Sequence, residues 1–220
     1  MPYLSFPERP RAKDLQIEQI AEASHLPISL EEVKASLLIS HTGDDALITS
    51  LIQAAANQIR GLTNRSLMQE TWRQTQSHVP DGYMLVREPV LAILAVEYIP
   101  TETGTSWTTL DPANYVLAGK RVLQLAYAWP GHRSVAGWRT TFTAGFKSLP
   151  DNPTSEDIAA SRAAIPSPIR QAIIQLVGHL LENREGQGPD LKYEALARDY
   201  KALPPNVALL LEPYRYWRLT

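Results

Sequence analysis

The stretch DDALITSLIQAAANQIRGLTN, residues 44–64, is the most strongly patterned part of the chain. Its apolar residues recur every three or four positions and form one face over about four helical turns: Leu47, Ile48, Leu51, Ile52, Ala55, Ile59 and Leu62. Thr42 or Asp44 can cap such a helix, and the acidic start at Asp44 and Asp45 complements the positive end of the helix dipole. The pattern predicts a long helix that ends between Gly61 and Asn64.

A shorter helix is predicted just before it. Ser29 and Glu32 have capping-box spacing, and Val33, Leu37 and Leu38 supply its apolar side. Residues 1–28 are polar and broken by prolines, with one short helical candidate at about residues 14–23. We therefore expect residues 1–28 to form an arm outside the core.

After residue 70 the period changes to that of β-strands. Short runs of β-branched and aromatic residues are separated by turn residues: TWRQTQSHV, YMLVR, LAILAVEYI, NYVLAG, RVLQLA and GWRTTFTAGF. The turn at Ala118-Gly119-Lys120 is tight enough for a hairpin. These runs predict an antiparallel β unit.

The last third of the chain again shows the sequence pattern of helices. Residues 147–168 are polar and proline-rich and predict a loop, and Pro168 suits the first turn of a helix. That helix carries Ile169, Ile173, Leu176, Val177 and Leu180 and ends near the glycines of NREGQGPD. Another amphipathic stretch, residues 191–203, runs into Pro204-Pro205. Helices on both sides of a β insertion favour the α+β class, with a mainly helical core.

Composition limits the function classes. The chain has 220 residues, 44% of them hydrophobic, which suffices for one ordinary domain with extensions. Its 21 basic and 23 acidic residues give a net charge of −2, without the basic excess typical of nucleic-acid binding. There is no cysteine, which excludes disulfides and thiolate chemistry. Neither a signal peptide nor a membrane span is predicted at the N-terminus, so we expect assembly in a cytoplasm.

No residue pattern indicates an active site. The histidines lack the spacing of a metal site, and His179 with Glu182 has no second pair to complete one. Gly186 and Gly188 lack the lysine and strand of a phosphate-binding loop. We therefore predict no catalytic residue, no metal ligand and no cofactor. The tryptophans at 72, 107, 129 and 138 fall in or beside strands, which favours packing within the sheet.

The last twelve residues, LLLEPYRYWRLT, are rich in aromatic and arginine side chains, the types enriched at the energetic centres of protein interfaces. From the residues alone, two interpretations are open. The segment folds back on its own core, or it binds a partner.

The order of these segments resembles the phage head-tail connector (adaptor) family, whose members also occur in gene transfer agents. The resemblance covers about residues 29–186 and rests on segments that occur in one order: SLEEVKASLLI, GDDALITSLIQAAANQIRGLTNRSL, QETW, DPANYVL, FTAGF and PSPIRQAIIQLVGHLLENREG. No single segment is diagnostic. Their order and spacing together are specific.

The N-terminal arm expected at residues 1–28 departs from the compact start usual in the family. The resemblance implies a connector domain at 29–203. In that domain, helices at 30–64 and 168–203 flank a β insertion at 69–146, and a C-terminal tail follows at 204–220. Copies would form a ring, with twelve as the expected number, beneath the portal protein in the virion. The ring would extend the DNA channel without binding DNA specifically, and would contact the next tail or stopper protein but no membrane.

The resemblance also implies site residues. The C-terminal tail would dock on the portal through Pro213, Tyr214, Arg215, Tyr216, Trp217 and Arg218. Ring contacts would use the outward helix faces, with candidates at Gln53, Asn57, Arg60, Arg170, Gln171 and Gln175. Because DNA must slide through the ring, we expect a neutral to acidic lumen.

Other readings remain. A stopper or tail terminator one layer lower would direct the tail at another protein. A DNA-binding module would use the tryptophans of the β unit and bind DNA with strong salt dependence. A small enzyme would need titratable groups in a pocket, for which the spacing supplies no candidate.

Overall fold

The computed structural model describes residues 15–76, 82–100, 105–124, 137–183 and 203–215. They fall into two compact units, each assembled from two separate stretches of chain. The β unit comprises Met1–Glu22 and Gln69–Gly145, and the helical unit comprises Ala23–Met68 and Phe146–Thr220. The α+β class predicted from the sequence is confirmed.

The helical unit begins with two helices that the sequence predicted. Helix α1 spans Leu30–Ser36, and the Ser29 side chain accepts a hydrogen bond from the Glu32 amide at 3.1 Å. Helix α2 spans Asp45–Thr63 and ends at Asn64, whose φ of 57° is left-handed. Asp44 holds the N-cap position without a capping hydrogen bond from its side chain. Asp45 in the first turn instead contacts Lys34 Nζ at 2.5 Å.

The end of α1 corrects one detail of the prediction. Leu38, expected on the apolar side of this helix, lies beyond its end with φ of 57° and is 92% exposed. The Ile39 amide donates to the Lys34 carbonyl at 2.9 Å, which closes the helix with a Schellman turn. Such a turn needs one left-handed residue, and here a leucine occupies the place that glycine usually takes.

The stretch at residues 147–168 is not a loop throughout. Helix α3 spans Ser155–Ala163 and starts with a capping box, in which Thr154 and Asp157 bond each other's backbone amides. The expectation of a loop was wrong because α3 has almost no apolar face, so the periodicity that reveals buried helices is absent. Its start signal, Thr154 with an acid three residues later, was present in the sequence.

Two further helices of this unit lie in the part of the chain that the structure describes. Helix α4 spans Ser167–Glu182, as predicted from Pro168, and helix α5 spans Pro205–Leu211, followed by a 3₁₀ turn at Glu212–Tyr214. The core lies between α2, α4 and α5 and contains fully buried Ile52, Ile59, Ile173, Val177 and Leu211. None of the described helices is long and apolar enough to cross a membrane. The amphipathic stretch at 191–203 lies outside the described residues except for Leu203, which is buried.

The described part of the β unit contains two antiparallel sheets, and the predicted antiparallel pairing is confirmed. The large sheet has the order β1-β2-β8-β4-β5, and the small sheet has the order β3-β7-β6. The strands of the large sheet are β1 Gln16–Ala21, β2 Glu70–Gln76, β4 Val90–Tyr98, β5 Thr108–Thr109 and β8 Trp138–Ala144. Those of the small sheet are β3 Gly82–Met84, β6 Tyr115–Ala118 and β7 Arg121–Gln124. The predicted hairpin joins β6 to β7, and Gly119 in its turn has φ of 62°.

Strand β1 replaces the short helix expected at residues 14–23. It pairs antiparallel with β2, with Ile17 opposite Gln74 and Glu18 opposite Arg73. The helical prediction was wrong because the Ile17 to Ile20 spacing suits a helix, whereas edge pairing with β2 decides the conformation. Ile28 is fully buried in the helical core, so the described part of the predicted arm is folded into the two units.

One face of the large sheet covers the core of the β unit. Trp72, Trp138, Phe142 and Val96 are buried there, which confirms sheet packing for two of the four tryptophans. Gln74 is also buried, and both ends of its amide are used. Nε2 donates to the Met84 carbonyl at 2.9 Å, and Oε1 accepts from the Val86 amide at 2.9 Å. These bonds tie the chain at the end of β3 to the large sheet.

Candidate interaction surfaces

The C-terminal segment is packed on the helical unit as far as Tyr214. Val207 and Leu211 of α5 are buried, and Tyr214 is half-buried against the same core. The Arg65 guanidinium, just beyond α2, lies 5.9 Å from the centre of the Tyr214 ring, within cation–π range. Pro213 and Arg215 are exposed. Tyr216, Trp217 and Arg218 lie outside the described residues.

This arrangement divides the predicted docking residues into two groups. Tyr214 packs against the core of its own chain, so less of its side chain is available to contact a partner protein. The described part of the segment predicted as a tail, residues 204–215, belongs to the helical unit. If the segment docks on a partner, the residues available for docking start at about Arg215, and portal docking itself stays a prediction.

The candidates on α2 lie on its outer face. Gln53 and Asn57 are exposed, and the Gln53 amide donates to the Asn57 side chain at 3.4 Å. Arg60 is half-buried in the last turn of the helix, where a cation complements the dipole. The three residues form a polar surface one turn apart, and their use in a ring stays a prediction.

The candidates on α4 differ from one another in environment. Arg170 forms an ion pair with Glu32 of α1 and thereby joins the two helices. Gln171 is exposed, whereas Gln175 is half-buried and its Oε1 has no hydrogen-bond partner among the described residues. Arg170 thus has a role within its own subunit, and Gln171 is the most accessible of the three.

The face of the large sheet opposite the core carries a polar cluster around Arg139. Arg139 of β8 donates two hydrogen bonds to Glu97 of β4, both at 2.6 Å, and its guanidinium lies 4.4 Å from the centre of the Trp107 ring. These hydrogen bonds hold the pKa of the Glu97 carboxyl below its usual range and raise the pKa of Arg139. Because its charge is matched by Glu97, Arg139 is poorly suited to bind DNA phosphates.

No described cluster has the composition of a catalytic or metal site. The described residues contain no group of three or more His, Asp or Glu side chains that could hold a metal ion. Burial raises the pKa of the Tyr83 hydroxyl far above its usual value, and its partner is the Thr140 hydroxyl. His179 contacts Asn183 on its own helix. His78, His132, Trp129 and the glycines at 186 and 188 lie outside the described residues.

A comparison with known families finds a match to one continuous part of the chain. Residues 27–115 match the family model described as phage gp6-like head-tail connector protein. The predicted connector resemblance is confirmed. The matching segment contains α1, α2 and the strands from β2 to β5. A search of curated proteins gave no sequence match.

Solved structures of gene transfer agent particles contain chains that share the fold of nearly the whole chain. A chain from the neck of an empty GTA particle computed with C6 symmetry aligns with a TM-score of 0.67 and 20% identity, covering 93% of this chain and 97% of the other. A chain from the virion of a native gene transfer agent (GTA) particle gives 0.66 and 21% over the same shares. One from the neck of a native GTA particle computed with C12 symmetry gives 0.64 and 21%, again over 93% and 97%.

Sequence reasoning missed the two edges of the large sheet that are open among the described residues, and it missed the cluster around Arg139. For β1, the signal was the alternation of Leu15 and Ile17, which the Ile17 to Ile20 spacing obscured. For the cluster, Glu97 and Arg139 are 42 residues apart, and only the strand order brings them together.

Proposed function

We propose that this protein is the structural head-tail connector of a tailed phage or a gene transfer agent particle. In this role it forms a ring beneath the portal, extends the DNA channel and joins the head to the tail. The proposal rests mainly on the match of residues 27–115 to the connector family. The fold that 93% of the chain shares with a GTA neck chain also supports the proposal. The role is structural rather than enzymatic.

The ring is composed of copies of this chain, with twelve as the expected number. The neck structures with the same fold were computed with C6 and C12 symmetry, which is compatible with that number. A ring requires heterologous contacts, in which one surface of a subunit meets a different surface of its neighbour. The exposed residues Gln53, Asn57 and Gln171 are the candidates of the helical unit for such contacts.

Docking on the portal is assigned to the residues beyond Tyr214. Tyrosine and tryptophan supply large apolar area at low entropic cost, and arginine forms bidentate contacts with carboxylates. In this proposal Tyr214 anchors the segment through Arg65, while Arg215, Tyr216, Trp217 and Arg218 contact the portal. Pro213 restricts the path between the two groups.

The test is binding to the portal protein encoded with this chain. The triple variant Tyr216→Ala/Trp217→Ala/Arg218→Ala keeps the residues that pack on the helical core, and Leu219→Ala/Thr220→Ala is its matched control. We expect the portal to retain wild type and control but to lose most of the triple variant in sedimentation or pull-down assays.

The outcomes separate docking from function. Equal binding of all three proteins would assign portal docking to another surface. If no form binds the portal but all bind a tail protein, the chain acts one layer lower, as a stopper or tail terminator. Loss of tails from DNA-filled particles on deletion of the gene is expected for either layer and would be absent for a non-structural protein.

A further inference from the structure

The large sheet has two open edges within the described part of the chain. Strand β1 stands at one end and pairs only with β2. At the other end, β4 pairs with β5 only at Glu97 and Tyr98, so residues 90–95 have no strand beside them among the described residues. Open edges attract further strands, and proteins usually shorten or cover them.

The two edges match in length and direction. Strand β1 has six residues, and the open part of β4, residues 90–95, has the same number. Every pair in the sheet is antiparallel, so directions alternate from β1 through β2 and β8 to β4. Strand β1 of a second copy placed beside β4 would continue this alternation and lie end to end with β5.

The side chains of the two edges also match. Ile17 lies opposite Gln74 and Ile93 opposite Phe142, so both isoleucines are on the core side of the sheet. Ile17 is 37% exposed, an apolar side chain that a neighbouring strand would cover. Pairing Ile17 with Ile93 places Glu18 opposite Ala92, and both of these residues are on the other face. The apolar row and the polar row would then each continue into the next subunit.

We propose that β1 of one subunit adds to β4 of the next, so that the large sheets of the ring join edge to edge. The inference rests on the proposed connector function, because a head-to-tail contact of this kind closes only in a ring. Strand addition supplies backbone hydrogen bonds along six residues, and side-chain pairing fixes the register. The bulges of β4 at Leu91 and Leu94 leave a shift by up to two residues as the alternative register.

The absence of cysteine from the chain makes disulfide trapping a direct test. In the double variant Glu18→Cys/Ala92→Cys both positions are exposed, and in assembled rings, with the portal added if needed for assembly, mild oxidation should link neighbours. We expect a ladder of covalent oligomers that reductant collapses. Glu18→Cys/Leu94→Cys tests the shifted register in the same way.

The matched control is Glu18→Cys/Thr109→Cys. Thr109 lies opposite Glu97 on the same side of the sheet, about 17 Å along β4 from Ala92 at roughly 3.3 Å per residue. A disulfide needs Cα atoms within about 7 Å, so this pair should stay monomeric. The single variants should do so as well.

Rings that assemble normally but give no ladder with either test pair would overturn the edge contact and leave the connector function standing. A disulfide formed within one subunit would also overturn it, because the chain itself would then cover the edge. If light scattering and electron microscopy show no ring with or without the portal, the edge contact and the connector function fail together.

Discussion

Glu97 accepts two hydrogen bonds from Arg139, each 2.6 Å long, across neighbouring strands of the large sheet. The pair is largely shielded from solvent, with side chains 16% and 24% exposed, and Trp107 covers the guanidinium. A planar fork of two parallel hydrogen bonds is the strongest arrangement of these two groups. It fixes β4 against β8 in the middle of the sheet whose edges we assign to ring contacts.

Glu97→Gln tests this pair. Because the folded-state pKa of Glu97 is depressed, its contribution is present above the unfolded pKa of about 4.3 and is lost as pH falls through the folded value. At pH 7 we expect a loss of about 1–2 kcal/mol in the free energy of unfolding, in keeping with hydrogen bonds between charged groups. Urea denaturation at pH 7 and at pH 3 should show the difference from wild type shrinking at the lower pH. A constant difference would contradict the assignment.

Gln74→Leu should be among the most destabilising single changes in the β unit. It removes the hydrogen-bond partner of both the Met84 carbonyl and the Val86 amide while keeping a similar volume in the core. Leaving buried polar groups unsatisfied costs about 1–3 kcal/mol for each group. The control is Gln171→Leu at an exposed position of α4, for which we expect a change within about 0.5 kcal/mol. Equal effects in thermal or urea denaturation would show that the Gln74 bonds are not structural.

Two helical glycines should respond differently to alanine. A Cβ at Gly178 of α4 would lie 3.1 Å from Leu37 Cδ2, whereas a Cβ at Gly61 of α2 would meet nothing within 4 Å. Gly61→Ala should therefore stabilise the protein by about 0.5–1 kcal/mol through helix propensity. In Gly178→Ala the displacement of Leu37 offsets that gain. A larger gain for Gly178→Ala than for Gly61→Ala would show that α1 does not pack closely on α4.

Leu38→Gly should raise stability although it removes a large side chain. Leu38 is 92% exposed, so little buried area is lost, and its left-handed conformation costs a leucine about 1–2 kcal/mol that glycine avoids. We expect a gain of up to about 1 kcal/mol in the free energy of unfolding, because glycine also loses more backbone entropy on folding. A loss of stability, measured under conditions where the protein is monomeric, would contradict the Schellman turn.

The isolated protein should bind DNA weakly. Its net charge is −2, and Arg139, whose guanidinium lies over the half-buried Trp107 ring, is paired with Glu97. At physiological salt we expect dissociation constants weaker than about 100 μM, the weak end of non-specific binding. Fluorescence anisotropy with a labelled duplex over a series of salt concentrations measures this. Tight binding with a steep salt dependence would favour a DNA-binding module over a passive channel.

Sequence periodicity predicted the elements whose burial is one-sided. Helix α2, helix α4 and strand β2 each present one apolar or one alternating face, and each lies where predicted. Helix α3 was missed because its few apolar residues form no continuous face, and its buried residue is the polar Ser161. Strand β1 was missed because both of its faces are exposed, and such an edge strand shows no strict alternation of apolar and polar residues.

The candidate sites were less predictable than the fold. The docking segment could be recognised from its aromatic and arginine content, yet the packing of Tyr214 on the helical unit depends on Arg65, which is 149 positions earlier in the chain. The open edges follow from strand order, which the sequence does not specify. Long-range pairing of this kind is set by the tertiary structure and not by local propensity.

Both compact units are assembled from separated parts of the chain, and this sets an order on folding during synthesis. The β unit has all of its strands once Gly145 has left the ribosome. Helices α1 and α2 are synthesised earlier, but their apolar faces can be buried only after α4 and α5 have been made. The side chains of α4 and α5 fill the other half of that core. Helix α2 is therefore synthesised early but buried late. Its apolar face is a part of the nascent protein that chaperones would have to shield for most of synthesis.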